Sequence, residues 1–139
     1  MLDWYAPRPR KLQRPVVVVD PFAGGVVRGF VAAAMGFVYV GVDVSQRQVH
    51  ANQRQVPVGK YDFQHQPTWL IGDGEDVERL VSSELQRRGL EPYADVVVSC
   101  PPYFNLEEYN AGPNDLSMLD SYVSMPGLEP STSHPRTPC

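Results

Sequence analysis

Apolar residues fall along this chain in short blocks separated by glycine, proline and acidic punctuation. Val16 to Val19 is a continuous β-branched run ending at Asp20-Pro21. It is too short for a helix and apolar on both faces, which predicts a buried central strand. Gly24 and Gly25 then open Val26 to Met35, apolar nearly all round and stopped at Gly36. That pattern predicts a helix packed on a sheet, with a glycine C-cap. Phe37 to Val42 is a second apolar run ending at Asp43, and Ser45 supplies an N-cap for a polar helix reaching about Gln55, before Pro57. Thr68 to Ile71 gives a third strand, closed by Gly72-Asp73-Gly74. Val77, Leu80, Val81 and Leu85 recur on one face of an amphipathic helix that ends at Gly89. Asp95 to Ser99 is the fourth strand and runs straight into Cys100-Pro101-Pro102-Tyr103.

Four alternations of strand and helix call for right-handed crossovers, so the fold class is α/β, a parallel sheet with helices on both faces. In such sheets ligands bind beyond the carboxyl ends of the strands, near the point where the strand order reverses. Those ends are Asp20 to Gly25, Asp43, Gly72 to Gly74, and Cys100 to Tyr103.

Composition narrows the class. A chain of 139 residues with 42% hydrophobic and 20% charged side chains can bury one core, and is too apolar for wholesale disorder. No apolar run approaches the roughly 18 residues of a membrane span, so a soluble protein with no membrane partner is expected. Cys100 and Cys139 provide neither a disulfide framework nor a metal-ligand spacing, and no secretory pattern opens the chain; a reducing cytoplasm follows. His50, His65 and His134 are too dispersed for a metal motif, and no metal is expected.

Charge is divided unevenly. The net value of −4 argues against a dedicated nucleic-acid clamp, yet residues 1–60 hold eight Lys and Arg against three Asp, while the remainder holds four Arg against thirteen acids. Any polyanion contact therefore favours the first half, with Arg8, Arg10, Lys11 and Arg14 as the candidate cluster; its plain reading is a solvated leader over residues 1–15, interleaved with prolines. Residues 124–139 are rich in Pro, Ser and Thr without apolar period and are expected to be disordered.

The strand ends carry the chemistry. A glycine pair after a strand lets backbone approach a ligand without a Cβ in the way, so Asp20-Pro21-Phe22-Ala23-Gly24-Gly25 reads as a cofactor loop. Against a dinucleotide fingerprint, Gly24 and Gly29 fit but Val26 takes the middle glycine. A carboxylate at Asp20 would repel a pyrophosphate and attract an ammonium, which favours S-adenosylmethionine over NAD. Asp43 lies near the roughly 20-residue offset at which an acidic strand end accepts from ribose hydroxyls. Asp73 is placed either to accept from an adenine amino group or to shape a Gly-Asp-Gly turn. Pro101-Pro102 removes two backbone donors and presents rigid carbonyl acceptors beside Tyr103. Such a platform can accept the N–H bonds of a nucleobase amine, freeing its lone pair, while the ring stacks on a base taken out of its duplex.

Asp-Pro-Phe-Ala-Gly-Gly followed by Cys-Pro-Pro-Tyr resembles the S-adenosylmethionine-dependent DNA methyltransferases that modify the exocyclic amino group of adenine or cytosine. The resemblance covers roughly residues 15–123. Asn105 to Tyr109 and Asp115 to Tyr122 look like the continuation in bacteriophage-type DNA methylases, which would place the protein in a host cytoplasm. It implies a Rossmann-like class I methyltransferase fold over 16–123, incomplete at about four strands. S-adenosylmethionine would be contacted by Asp20, Phe22, Ala23, Gly24, Gly25, Asp43 and Asp73. Cys100, Pro101, Pro102 and Tyr103 would form the catalytic loop, Tyr103 stacking on the flipped base of double-stranded DNA and the Pro101 carbonyl accepting from its amine. Cys100 stands where the family usually has Asp, Asn or Ser. A cysteine nucleophile for attack at a ring carbon would follow a proline, whereas Cys100 precedes two.

A second expectation is a truncated, catalytically incompetent binding module or subunit. In the family's strand order the fourth strand would leave an open edge for a second copy or a complementing chain. An RNA or protein methyltransferase is a third, since proline-proline-aromatic loops also serve those substrates.

Overall fold

The computed structural model describes residues 13–101. Four strands form an all-parallel sheet: β1 (Val17–Asp20), β2 (Val38–Asp43), β3 (Thr68–Ile71) and β4 (Val96–Val97), in the order β3-β2-β1-β4. Helices α1 (Val27–Ala34), α2 (Gln46–Gln55) and α3 (Val77–Arg87) alternate with them, the last entered through a 3-10 turn at Gly74–Asp76. The α/β expectation holds, and the segment boundaries lie within a residue or two of the sequence pattern for every element except β4.

The layers follow from the two-residue period of the strands. Val16 and Val18 of the first strand segment, Phe37 and Tyr39 of the second and Trp69 of β3 share one face with Ala32 of α1 and Val49 of α2. Val17, Val19, Val38, Val40 and Val42 share the other with Val81 and Leu85 of α3. The chain therefore lays β1, β2 and β3 outward under α1 and α2. It then recrosses the sheet with α3 to set β4 on the far side of β1. The order reverses between β1 and β4, which puts the crevice of such sheets at their carboxyl ends.

Two helices stop by the same device. Gly36 at φ +81° sends its N–H to the Ala33 carbonyl, and Phe37 sends its own to Ala32; Gly89 at φ +72° does the same to Gln86, with Leu90 bonding Leu85. Each closes the orphan carbonyls of its helix, and only glycine adopts that backbone without a Cβ penalty. At the start of α2 the Ser45 side chain accepts from the Gln48 N–H at 3.3 Å, the expected cap.

Charged groups fasten the amino ends of the strands. Glu84 of α3 accepts from Arg87 and Arg88, whose hydrogen bonds hold its carboxyl below the usual range against the opposing effect of burial, and Arg88 continues to Thr68 Oγ1 at the start of β3. Asp95 accepts both Nη groups of Arg14, at 2.8 and 2.6 Å, and the Val17 N–H at 2.8 Å. These bonds to Arg14, above all, depress its pKa.

The fourth strand is shorter than Asp95 to Ser99. Regular pairing covers Val96–Val97, bracketed by Asp95 N–H to Val17 O and Val98 N–H to Val19 O, both 2.9 Å. The reason is one-sided cover: Val96 and Val98 pack on the α1 side, but Val97 on the other face is 63% exposed, and among the described residues no helix reaches it. No described helix is long and apolar enough to cross a membrane. The leader residues Arg8, Arg10 and Lys11, the boundary at 123/124 and the proline-rich tail lie outside the described residues.

Gly29 shows how tightly α1 sits on the sheet. A Cβ there would come within 2.5 Å of Trp69 Cζ2 and 2.8 Å of Tyr39 Cε1, both parts of buried rings. Gly29→Ala is therefore expected to lower the urea unfolding free energy by about 1–3 kcal/mol despite alanine's better helix propensity, as overpacking does. Gly25→Ala, which meets nothing within 4 Å, serves as the comparison and should leave the midpoint nearly unchanged.

Candidate functional site at the carboxyl end of the sheet

The loop after β1 is held from every side. Phe22 N–H bonds to Asp20 Oδ1 at 3.2 Å, and Ala23 N–H bonds to the Val42 carbonyl at 3.0 Å. Gly24, at φ +51°, is fixed through both its backbone groups: its N–H donates to Asp43 Oδ2 at 2.8 Å and its carbonyl accepts from Asn52 Nδ2 at 2.7 Å. Asn52 is fully buried on α2, one turn beyond Val49, and its Oδ1 accepts from Gln48 at 2.9 Å. A buried amide with both ends engaged specifies the path of the chain it holds.

Asp43 joins the second and third strand ends to this loop. Its Oδ1 accepts the Ser45 N–H at 2.8 Å, and its carbonyl accepts the Gly72 N–H at 3.1 Å. Each carboxylate oxygen retains lone-pair capacity beyond the single bond it makes, so a hydroxyl donor can still be accommodated. Asp73 turns its side chain onto the Glu75 N–H at 3.1 Å and caps the 3-10 turn, the structural half of the expectation for that residue. The Phe22 ring lies beside Gly74, 3.6 Å from where a Cβ would stand. Phe22, Asp43 and Gly72 to Gly74 thus lie together along the carboxyl ends of the strands, and Gly25 faces open space.

Asp20 is in a different situation. Its side chain is fully buried, with Oδ2 receiving Arg28 Nε at 2.6 Å and the Tyr39 hydroxyl at 3.0 Å. Arg28, in the first turn of α1, also spans the loop, donating from Nη2 to the carbonyls of Phe22 at 2.5 Å and Ala23 at 3.2 Å. Burial opposes the Arg28 charge, but the bond and charge of Asp20, with smaller contributions from Tyr39 and nearby Cys100, hold its pKa above the ordinary value. Burial first, and Asp20 second, push the Tyr39 hydroxyl upward, so it stays a proton donor. A ligand ammonium could meet Asp20 only by parting this arginine from it.

Cys100 and Pro101 leave β4 at the same end of the sheet, both exposed. Pro102 and Tyr103 lie outside the described residues. Arg14, offered above as a polyanion contact, is at the amino end of the sheet, engaged with Asp95 and 4.8 Å over the Tyr93 ring. A cavity of about 150 Å³ beside it, lined by Arg14, Val17 and Gly89 to Glu91, faces away from the motif residues. No group of three metal-binding side chains occurs among the described residues.

Three residues that shape the site did not figure in its sequence reading. Arg28 carried a signal, as the lone charge in an apolar helix. Tyr39 and Asn52 carried fainter ones, a polar atom within a buried strand and an amide in register with Val49.

Arg28→Ala would leave the Asp20 carboxylate buried with no cation beside it, held only by the Tyr39 hydroxyl and the Phe22 N–H. Breaking a buried pair this way is expected to cost about 3 kcal/mol in urea unfolding, and Asp20→Asn in the same chain should recover a large part of it. Simple additivity of the two losses would show that the pair is not energetically coupled. Comparison of the chain with protein-family models, with curated proteins and with solved structures finds no match.

Proposed function

We propose that this chain carries the cofactor-binding and catalytic segment of an S-adenosylmethionine-dependent DNA methyltransferase acting on the exocyclic amino group of adenine or cytosine. The observation that carries the reading is the convergence of motif residues: Phe22 to Gly25, Asp43 and Gly72 to Gly74 line one wall at the carboxyl end of the sheet, and Cys100-Pro101 emerges at that same end.

The residues fit the nucleoside part of the cofactor. Gly24 and Gly25 let the ligand approach backbone closely, Asp43 has acceptor capacity for ribose hydroxyls, and Phe22 gives an apolar surface beside them. When bound, S-adenosylmethionine supplies an electrophilic methyl group. The chain's own part is positioning: Pro101 offers a carbonyl to the target amine, Tyr103 a ring on which a base removed from the stack can rest. Holding the amine and the methyl group in line needs neither a metal nor an acid–base pair from the protein. Cys100 contributes at most a weak acceptor to this arrangement.

A methyltransferase-like binding module or subunit is a second reading, favoured by the exposed Val97 on the two-residue strand β4, the edge of the sheet among the described residues.

Tritiated methyl transfer to unmethylated DNA, with RNA in parallel, tests the first reading directly. The expected result is label on DNA, abolished in Tyr103→Ala while the affinity for S-adenosylhomocysteine changes less than about twofold. Label on RNA alone would move the substrate class. Cofactor binding without transfer to either polymer, by a chain that self-associates, would favour the module.

A further inference from the structure

The methyltransferase reading leaves a question that the loop itself answers: which charge at the β1/β4 crevice meets the amino-acid end of the ligand. An acidic strand end alone would select an ammonium. Here the carboxylate of Asp20 is fully buried and occupied by Arg28 Nε, the Tyr39 hydroxyl and the Phe22 N–H. An ammonium would have to displace a guanidinium that is bonded at once to the carboxylate and to two loop carbonyls. That exchange would break all three of these charge-assisted bonds, so the internal arginine is favoured.

The same arginine is not fully spent. Its side chain is 33% exposed, and its Nη1 has no partner among the described residues, although Nε and Nη2 are engaged. The guanidinium is fixed by Asp20 and the carbonyls of Phe22 and Ala23, so Nη1 is a preorganised donor able to give a carboxylate a charge-assisted bond.

We propose that Arg28 is the specificity-determining residue of this crevice, that it closes the ammonium subsite at Asp20, and that its outer Nη1 edge receives the carboxylate of the ligand's amino-acid group. This assignment rests on the nucleoside reading of the site. It reverses the electrostatic role that Asp20 would play alone: the acid becomes the internal counter-ion that orients the arginine, and the arginine becomes the group that meets the ligand.

The test is a binding series on the full chain by titration calorimetry, using S-adenosylhomocysteine and its decarboxylated analogue, which keeps the ammonium but lacks the carboxylate. The expected result is at least tenfold weaker binding of the decarboxylated compound. The double variant Asp20→Asn with Arg28→Gln, which removes both charges and so leaves no buried ion unpaired, should bring the two affinities to within about threefold. Decarboxylated ligand binding as tightly as its parent, or a preference unchanged in the double variant, overturns the Arg28 assignment while leaving the nucleoside reading in place. Failure of both ligands to bind the unmodified chain overturns both.

Discussion

The carboxylate of Asp20 ends the central strand inside the protein, and the loop that follows is organised around keeping it paired. A buried acid without a partner is costly, so the first turn of α1 must present Arg28 and β2 must present Tyr39. Arg28 in turn gathers the Phe22 and Ala23 carbonyls, which leaves Gly24 as the turning point. Asp43 and Asn52 then secure Gly24 from the neighbouring strand and helix. The glycine loop is thus a rigid consequence of one neutralised charge and two side-chain clamps, and its face at Gly25 is open.

Sheet topology gives this loop its meaning. Crossing back from β3 to β4 under α3 places the strand ends of β1 and β4 side by side at the reversal of strand order. The same crossing separates the two apolar clusters, so the layers that stabilise the sheet also decide where its crevice opens. Arg14 and Asp95 close the opposite end, where they tie the start of β1 to the start of β4. The charged residues thus divide by position. Those at the amino end hold strands together, and those at the carboxyl end hold the loop after β1.

Much of this was legible in the chain. The apolar runs from Val16, Phe37 and Thr68 could only be strands, because each was too short for a helix and lay between turn residues. Gly36, Ser45 and Gly89 marked helix ends through conformations and bonds specific to those residue types. The fourth strand is shorter than its apolar string because such a string does not reveal whether helices cover both faces, and Val97 is exposed. The site was legible as a set of strand ends but not as a network. Nothing local in the sequence says that Arg28 reaches eight residues back to Asp20, or that Asn52 reaches Gly24, since both are products of tertiary packing.

Amide-resolved NMR during titration with S-adenosylhomocysteine tests the central claim most directly, that the carboxyl end of the sheet is a nucleoside site. The account predicts shifts centred on the Phe22 to Gly25, Ser45 and Gly72 to Glu75 amides, where the loop, Asp43 and the third strand end meet. Shifts centred instead on Val17 and Gly89 to Glu91 at the amino end, or none at saturating ligand, would contradict it.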